Sequence, residues 1–247
     1  QWRLVECAAA LDEEAEGDAW LTRLARESDT WMLRMAALSA LQARRSSATF
    51  GEAKRALSDE YPRVRANALK VLSSSSPDIQ LLSRYARDDK WFLVRAAAID
   101  ALPNTPGAQP VMLAATGDRT PAVRATAIRA LQRAGDVAAW PRIQKLLENA
   151  EEYPEVLAEG VAFAKALCVV AAAPSLHAVV ERGLSPDAWT PDQELALSAL
   201  EALISFGGAE AAWARDHSAS PLVPKPLHDA AVSAAEKPTV CRRSPVL

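Results

Sequence analysis

The side chains of this sequence that could do chemistry are charged groups that recur in pairs. An acid and an arginine return together four times, as Asp29 with Arg34, Asp59 with Arg65, Asp89 with Arg95 and Asp118 with Arg124. A row of aligned guanidinium groups could grip an acidic ligand through forked hydrogen bonds. The alternative is structural, because each arginine has an acid at a nearly fixed offset and stands beside apolar positions. Pairs of that kind neutralise one another inside a fold, and this reading is the stronger.

The other candidates are sparser. His177, His217 and His228 share no ligand spacing with one another or with a cysteine, so no metal site is assigned. Cys7, Cys168 and Cys241 are far apart and odd in number, which argues for ordinary thiols rather than a disulfide framework. No His-Glu-x-x-His, Gly-rich phosphate loop or Gly-x-Ser-x-Gly occurs, so no catalytic or cofactor-binding residue is assigned and a non-enzymatic role is expected. The acids Asp12, Glu13 and Glu14 lie in a connection and read as solvated. Seven tryptophans are many for a chain with 6% aromatics. Trp31 and Trp91 read as one turn position in alternate copies, with Tyr61 between. Such a row could grip a peptide or stack bases, or it could cover the seams between copies, and the seam reading is favoured.

The elements that hold these residues repeat. The copies read DTWMLRMAALSAL (Asp29 to Leu41), DEYPRVRANALKVL (Asp59 to Leu72), DKWFLVRAAAIDAL (Asp89 to Leu102) and DRTPAVRATAIRAL (Asp118 to Leu131). The arginine steps are 31, 30 and 29 by subtraction (65 − 34, 95 − 65, 124 − 95), a period that fixes an architecture but not a chemistry. With each arginine as position zero, Leu33, Val64, Val94 and Val123 stand at −1. Ala37, Ala68, Ala98 and Ala127 stand at +3, Leu38, Leu69, Ile99 and Ile128 at +4, and a leucine closes each copy at +7. These offsets trace one face of a helix, which is the core face. Each unit is therefore a short first helix, a turn and a longer second helix. The acid suits the second helix's N-terminus, and Pro62 and Pro121 its first turn.

A divergent copy opens the chain, with Leu4 in the arginine's place and Leu11 closing it. A fifth is read from Tyr153-Pro154-Glu155-Val156-Leu157, with Leu157 in the arginine's place and Gly160 at the small-residue site. Another helix pair is read over Ser175 to Arg182 and Thr190 to Phe206, and a further helix from Gly207-Gly208 to about Asp216. The tail is rich in proline and is expected to be loosely ordered apart from a Leu227 to Glu236 helix.

The solvent-side row is mixed in sign. Offset +5 gives Ser39, Lys70, Asp100 and Arg129, and offset +2 gives Ala36, Asn67, Ala97 and Thr126. With 28 Lys plus Arg against 31 Asp plus Glu, the net charge is −3, and neither the whole chain nor this row offers a basic stripe to a phosphate backbone. Nucleic acid is accordingly disfavoured as a partner. Among 247 residues, half of them hydrophobic, no charge-free run is long enough to span a membrane. A cytoplasmic location is the expectation. Because the chain opens on Gln1 rather than Met, a fragment or a processed form that has lost a targeting segment is part of it.

The unit of an acid, four or five residues, Val/Leu-Arg-x-x-Ala-Leu/Ile-x-x-Leu resembles HEAT-like repeats, and the step near 30 resembles their short bacterial form, also found in phycobilisome lyase subunits. The resemblance implies an all-α fold, an α-solenoid of about six stacked helical hairpins whose second helices line a concave face. It divides the chain into a solenoid over 1–217, clear over 18–131 and degenerate over 1–17 and 137–217, and a tail over 218–247. By the same resemblance Asp29, Asp59, Asp89 and Asp118 form a ladder with Arg34, Arg65, Arg95 and Arg124, ending at Leu157. The function it implies is a non-catalytic scaffold that binds another protein, or a domain of the same longer chain, on the concave face. Trp31, Tyr61, Trp91, Ser39, Lys70, Asp100 and Arg129 are the candidate contacts. Two other readings stay open: an accessory C-terminal module of a larger enzyme such as a bacterial metallopeptidase, and a repeat-based lyase or DNA-repair enzyme.

Overall fold

The computed structural model describes residues 14–74, 77–149, 151–235 and 241. The opening copy over Gln1 to Leu11, with Cys7 and the acids Asp12 and Glu13, lies outside them, as do Pro238 and Pro245. Among the described residues all regular structure is helical, fourteen α-helices with two short 3₁₀ turns. The chain divides into two compact units between Val111 and Met112.

In the first unit three hairpins follow one another: α1 (Glu14–Glu27) with α2 (Trp31–Ala43), α3 (Thr49–Ala56) with α4 (Pro62–Ser73), and α5 (Ile79–Asp88) with α6 (Phe92–Asp100). Second helices pack on second helices, α2 on α4 and α4 on α6. The helix α7 (Gln109–Ala115) lies at the division. In the second unit α8 (Pro121–Arg133) packs on α10 (Pro154–Ala166), and α10 on α12 (Thr190–Phe206). The shorter α9 (Trp140–Leu147) and α11 (Ala173–Gly183) serve as the first helices of α10 and α12.

The periodic positions become the core. Every residue at offsets −1, +3, +4 and +7 of the four copies is buried, and the four alanines at +3 expose no surface at all. Each buried aliphatic chain contributes about 1.5–3 kcal/mol, and a methyl at +3 is what lets neighbouring axes approach closely. In the first hairpin Leu33, Ala37, Ala40 and Leu41 close on Leu21 and Ala25, with Trp20 and Leu24 half-buried at the edge.

Three second helices end the same way. After α2, α8 and α10 the second residue past the helix takes positive φ: Arg45 (56°), Gly135 (67°) and Cys168 (55°). The next amide reaches back to close the turn, from Ser46 to the Leu41 carbonyl (3.0 Å), Asp136 to Leu131 (3.1 Å) and Val169 to Ala164 (2.9 Å). This is the left-handed helix stop, for which only one of the three positions uses glycine.

One expectation changes. Cys168 is disulfide-bonded to Cys241, with Cα atoms 5.9 Å apart and a sequence separation of 73, so these two are not ordinary thiols. Distant cysteines carry no local spacing signal, and only the fold brings them together. The helix expected in the proline-containing tail is α14 (Lys225–Ala235), which pairs with α13 (Gly208–His217) as a further hairpin and touches α12.

Two glycines in the second unit should respond oppositely to one substitution. A Cβ on Gly160 would sit 3.5 Å from Ile143 Cγ2 and 3.7 Å from Leu147 Cδ1, ordinary contact, so Gly160→Ala should stabilise by about 0.5–1 kcal/mol. A Cβ on Gly183 would collide with the Asp192 carbonyl and lie 2.6 Å from Ala196 Cβ, so Gly183→Ala should destabilise by about 1–3 kcal/mol. Urea unfolding of the full chain followed by circular dichroism measures both, and shifts of the same sign would contradict the packing described.

Candidate functional site

The recurring charges are used in the seams between repeats. Arg34 Nε and Nη2 donate to the two carboxylate oxygens of Asp59, each at 2.7 Å, and Nη1 donates to the Ser28 carbonyl at 2.8 Å. Arg65 repeats the arrangement on Asp89, both bonds at 2.9 Å, with Nη1 on the Asp59 carbonyl at 2.8 Å. Each guanidinium thus grips the acid of the following repeat with one edge and its own turn with the other. Each acid also accepts an amide of its own turn, Asp59 from Tyr61 and Asp89 from Trp91, both at 2.9 Å. Arg95 donates to the Asp89 carbonyl at 3.0 Å, and Asp118 accepts from the Thr120 amide at 2.8 Å.

Asp29 is not on this register. The acids Asp59, Asp89 and Asp118 stand six residues before their arginines, and six before Arg34 is Ser28. Ser28 gives its carbonyl to Arg34 and its hydroxyl oxygen to the Thr30 amide (3.2 Å), while Asp29 stands exposed beside it. The acids do not cap the second helices either. The residues at the helix starts are Thr30, Tyr61, Trp91 and Thr120, and the acids brace the turn before them. At the far end Arg124 closes on Glu152, an acid the spacing did not reveal, although it precedes Tyr153-Pro154 much as Asp59 and Glu60 precede Tyr61-Pro62. That rung is single-pronged: Arg124 Nε is buried without a hydrogen-bond acceptor. Leu157, buried in the next arginine's place, passes no charge on.

The first helices of the first unit carry their own charge cluster. Buried Glu52 is bracketed by Arg26 Nε at 2.9 Å and Arg55 Nε at 3.1 Å, and Arg55 Nη2 reaches the Ala25 carbonyl at 2.7 Å. The Arg26 hydrogen bond, with Arg55 behind it and burial opposing, holds Glu52 below the usual carboxylate range. Burial pulls Asp59 upward, but Arg34 and the Tyr61 amide outweigh it and hold this carboxyl low as well.

What the ladder leaves exposed is the edge and floor of the second helices. Trp31 stacks on Tyr61 with ring centroids 6.3 Å apart. Trp31 is one residue further along its copy than Trp91, so the two tryptophans are not equivalent, and Phe92 holds the matching place. Met32 (46%), Tyr61 (40%), Trp91 (46%) and Phe92 (45%) are all open to solvent, and Met32 and Phe92 were not among the candidates. Between the second helices lies a groove of about 530 Å³ whose lining includes Met35, Arg63, Asn67, Lys70, Leu93, Ala97 and Asp100. Ser39 stands at its rim as a clasp, since Asn67 Nδ2 donates to Ser39 Oγ at 3.1 Å and to the Met35 carbonyl at 3.3 Å.

In the second unit Arg129 is paired with Glu159 of α10. The histidines that share no spacing meet around an aromatic ring. His177 and His217 stack on Trp213 at centroid distances of 3.8 and 3.7 Å, with His177 Nε2 2.8 Å from Glu210 Oε2. His228 instead meets Ser218 Oγ at 2.8 Å. Among the described residues no cluster of His, Cys, Asp and Glu is arranged to hold a metal ion.

A carboxylate held low in the folded state binds fewer protons there than when unfolded. Its stabilisation is complete above the unfolded value near 4 and is lost as pH falls through the folded value. Unfolding midpoints in urea should therefore drop as pH is lowered below about 5, and Glu52→Gln should flatten that slope. Arg65→Met should cost about 3–5 kcal/mol by stranding Asp89, with much of it recovered in the Arg65→Met/Asp89→Asn pair. A single variant no worse than the double would overturn the ladder as a source of stability.

Comparison with known proteins agrees with this geometry. Residues 17–103 match the family model described as HEAT repeats. No curated protein matches the chain in sequence. Among solved structures, the X-ray structure of the Escherichia coli protein YibA superposes with a TM-score of 0.57 at 14% identity, covering 96% of each chain, a likeness of fold. Over residues 17–103 the chain thus matches HEAT repeats, and its helical-hairpin fold is HEAT-like.

Proposed function

We propose that this chain is a non-catalytic interaction scaffold that holds a partner protein on the exposed face of its second helices. One observation carries the reading: the groove over α2, α4 and α6 is left open while nearly every recurring charge is spent elsewhere. Its floor is apolar or small, with Met35, Ala66, Leu93 and Ala97, and the exposed rings of Tyr61, Trp91 and Phe92 belong to the same three repeats. Aromatic anchors beside a pocket with a polar rim are how protein interfaces concentrate binding energy. The mixed signs of Lys70 and Asp100 and the net charge of −3 weigh against a phosphate backbone.

A photoreactive residue at position 70 or 97 should give a covalent adduct in cells that express the protein, protease-sensitive and nuclease-resistant. The same residue at exposed position 84, on the first helix α5, should give none. Adducts at 84 alone would put the interface on the other face, and a nuclease-sensitive adduct would replace the protein partner by nucleic acid.

A further inference from the structure

The groove carries a charge pattern that the recurrence of the repeats does not explain. Arg63, Asn67 and Lys70 stand at i, i+4 and i+7 of α4, one stripe along a single helix face. Arg63 and Lys70 are exposed, and neither belongs to the ladder, whose arginine in this helix is Arg65. The Arg63 guanidinium lies over the Trp31 ring, 5.5 Å from its centroid. A guanidinium held over an indole by cation–π attraction keeps N–H donors for a second partner. Asn67 is held in place by Ser39 and by the Met35 carbonyl, which fixes the middle of the stripe.

We infer that this stripe is the docking site for an acidic segment of the partner, in which an Asp or Glu flanked by apolar residues enters the groove. The inference rests on the reading of this face as a protein-binding surface. The carboxylate sits between Arg63 and Lys70, forked on the guanidinium edge. The neighbouring apolar side chains lie on Met35, Leu93 and Ala97. A carboxylate fits better than a phosphate backbone, because the groove offers two cations on one helix face rather than a longer row, and the acid Asp100 lines the same groove.

The test uses the full chain and a random-peptide display library at physiological salt. Enriched peptides should carry Asp or Glu next to Leu, Ile, Met or Phe. They should bind the Arg63→Glu/Lys70→Glu chain at least about tenfold more weakly, with Lys in place of the peptide's acid restoring part of the loss. An unchanged circular dichroism spectrum shows that the double variant is folded. Peptides that compete with a blocking substitution at Ala97 but ignore the charge reversal would overturn the acidic assignment and leave the scaffold reading standing. No enrichment at all would remove both. Binding of single-stranded oligonucleotide that is lost in the double variant would overturn the assignment in favour of a phosphate ligand.

Discussion

A guanidinium that must satisfy two neighbours at once is the constraint from which the first unit follows. Arg34 and Arg65 are almost fully buried, and a buried cation is tolerated only when its donors are spent. One edge of each takes both oxygens of the next repeat's acid, and Nη1 donates to a carbonyl of its own turn. That geometry fixes the distance and the rotation between consecutive second helices together. A lysine, with a point charge and no fork, could hold the distance but not the rotation. The acid is fixed as tightly, since it must also accept an amide of its own turn.

Because the ladder sets the rotation, the remaining faces of the second helices are also set. Offsets −1, +3, +4 and +7 point to the core, and the opposite residues point outward in every copy. Selection for packing therefore ends at the groove, where side-chain identity is free to vary: Ser39, Lys70 and Asp100 occupy one equivalent position with three different chemistries. Variation at an exposed position whose backbone is rigidly placed is what a recognition surface requires. The Ser39–Asn67 clasp shows that part of this row still serves packing.

The sequence showed the helical architecture and the core because both are periodic, and a period survives when single residues diverge. The turn was less legible. An acid stood five residues before Arg34 and six before Arg65, and only the carbonyl contact to Ser28 shows that the sixth position counts and that Asp29 is a bystander. The same one-residue offset hid the inequivalence of Trp31 and Trp91. Glu152 escaped because its copy is recognised by Tyr-Pro rather than by an arginine. The His177–Trp213 stack and the linked cysteines escaped for a different reason: His177 and Trp213, like Cys168 and Cys241, come from separate elements, and no local spacing encodes a contact between them.

Beyond Leu157 the period fades although the hairpins continue, and the contacts show why. With a leucine in the arginine's place, no arginine–acid rung fixes the next seam, and the second unit joins its helices by other means. Gly183 brings α11 against α12 more closely than any side chain would permit. Glu148 meets Ser175 at 2.9 Å, Lys165 meets Glu201 at 2.8 Å, and the His177–Trp213–His217 stack joins α11 to α13. Each of these seams is a different solution, so none leaves a repeated residue for the eye to find. A ladder imposes the same residue on every copy because each arginine must fit the acid of the next one. Seams closed by packing impose only a volume, and many side chains can fill a volume. The clear repeats are thus the segment in which one charged interaction dictates geometry, and the degenerate ones are where packing has taken over the same task.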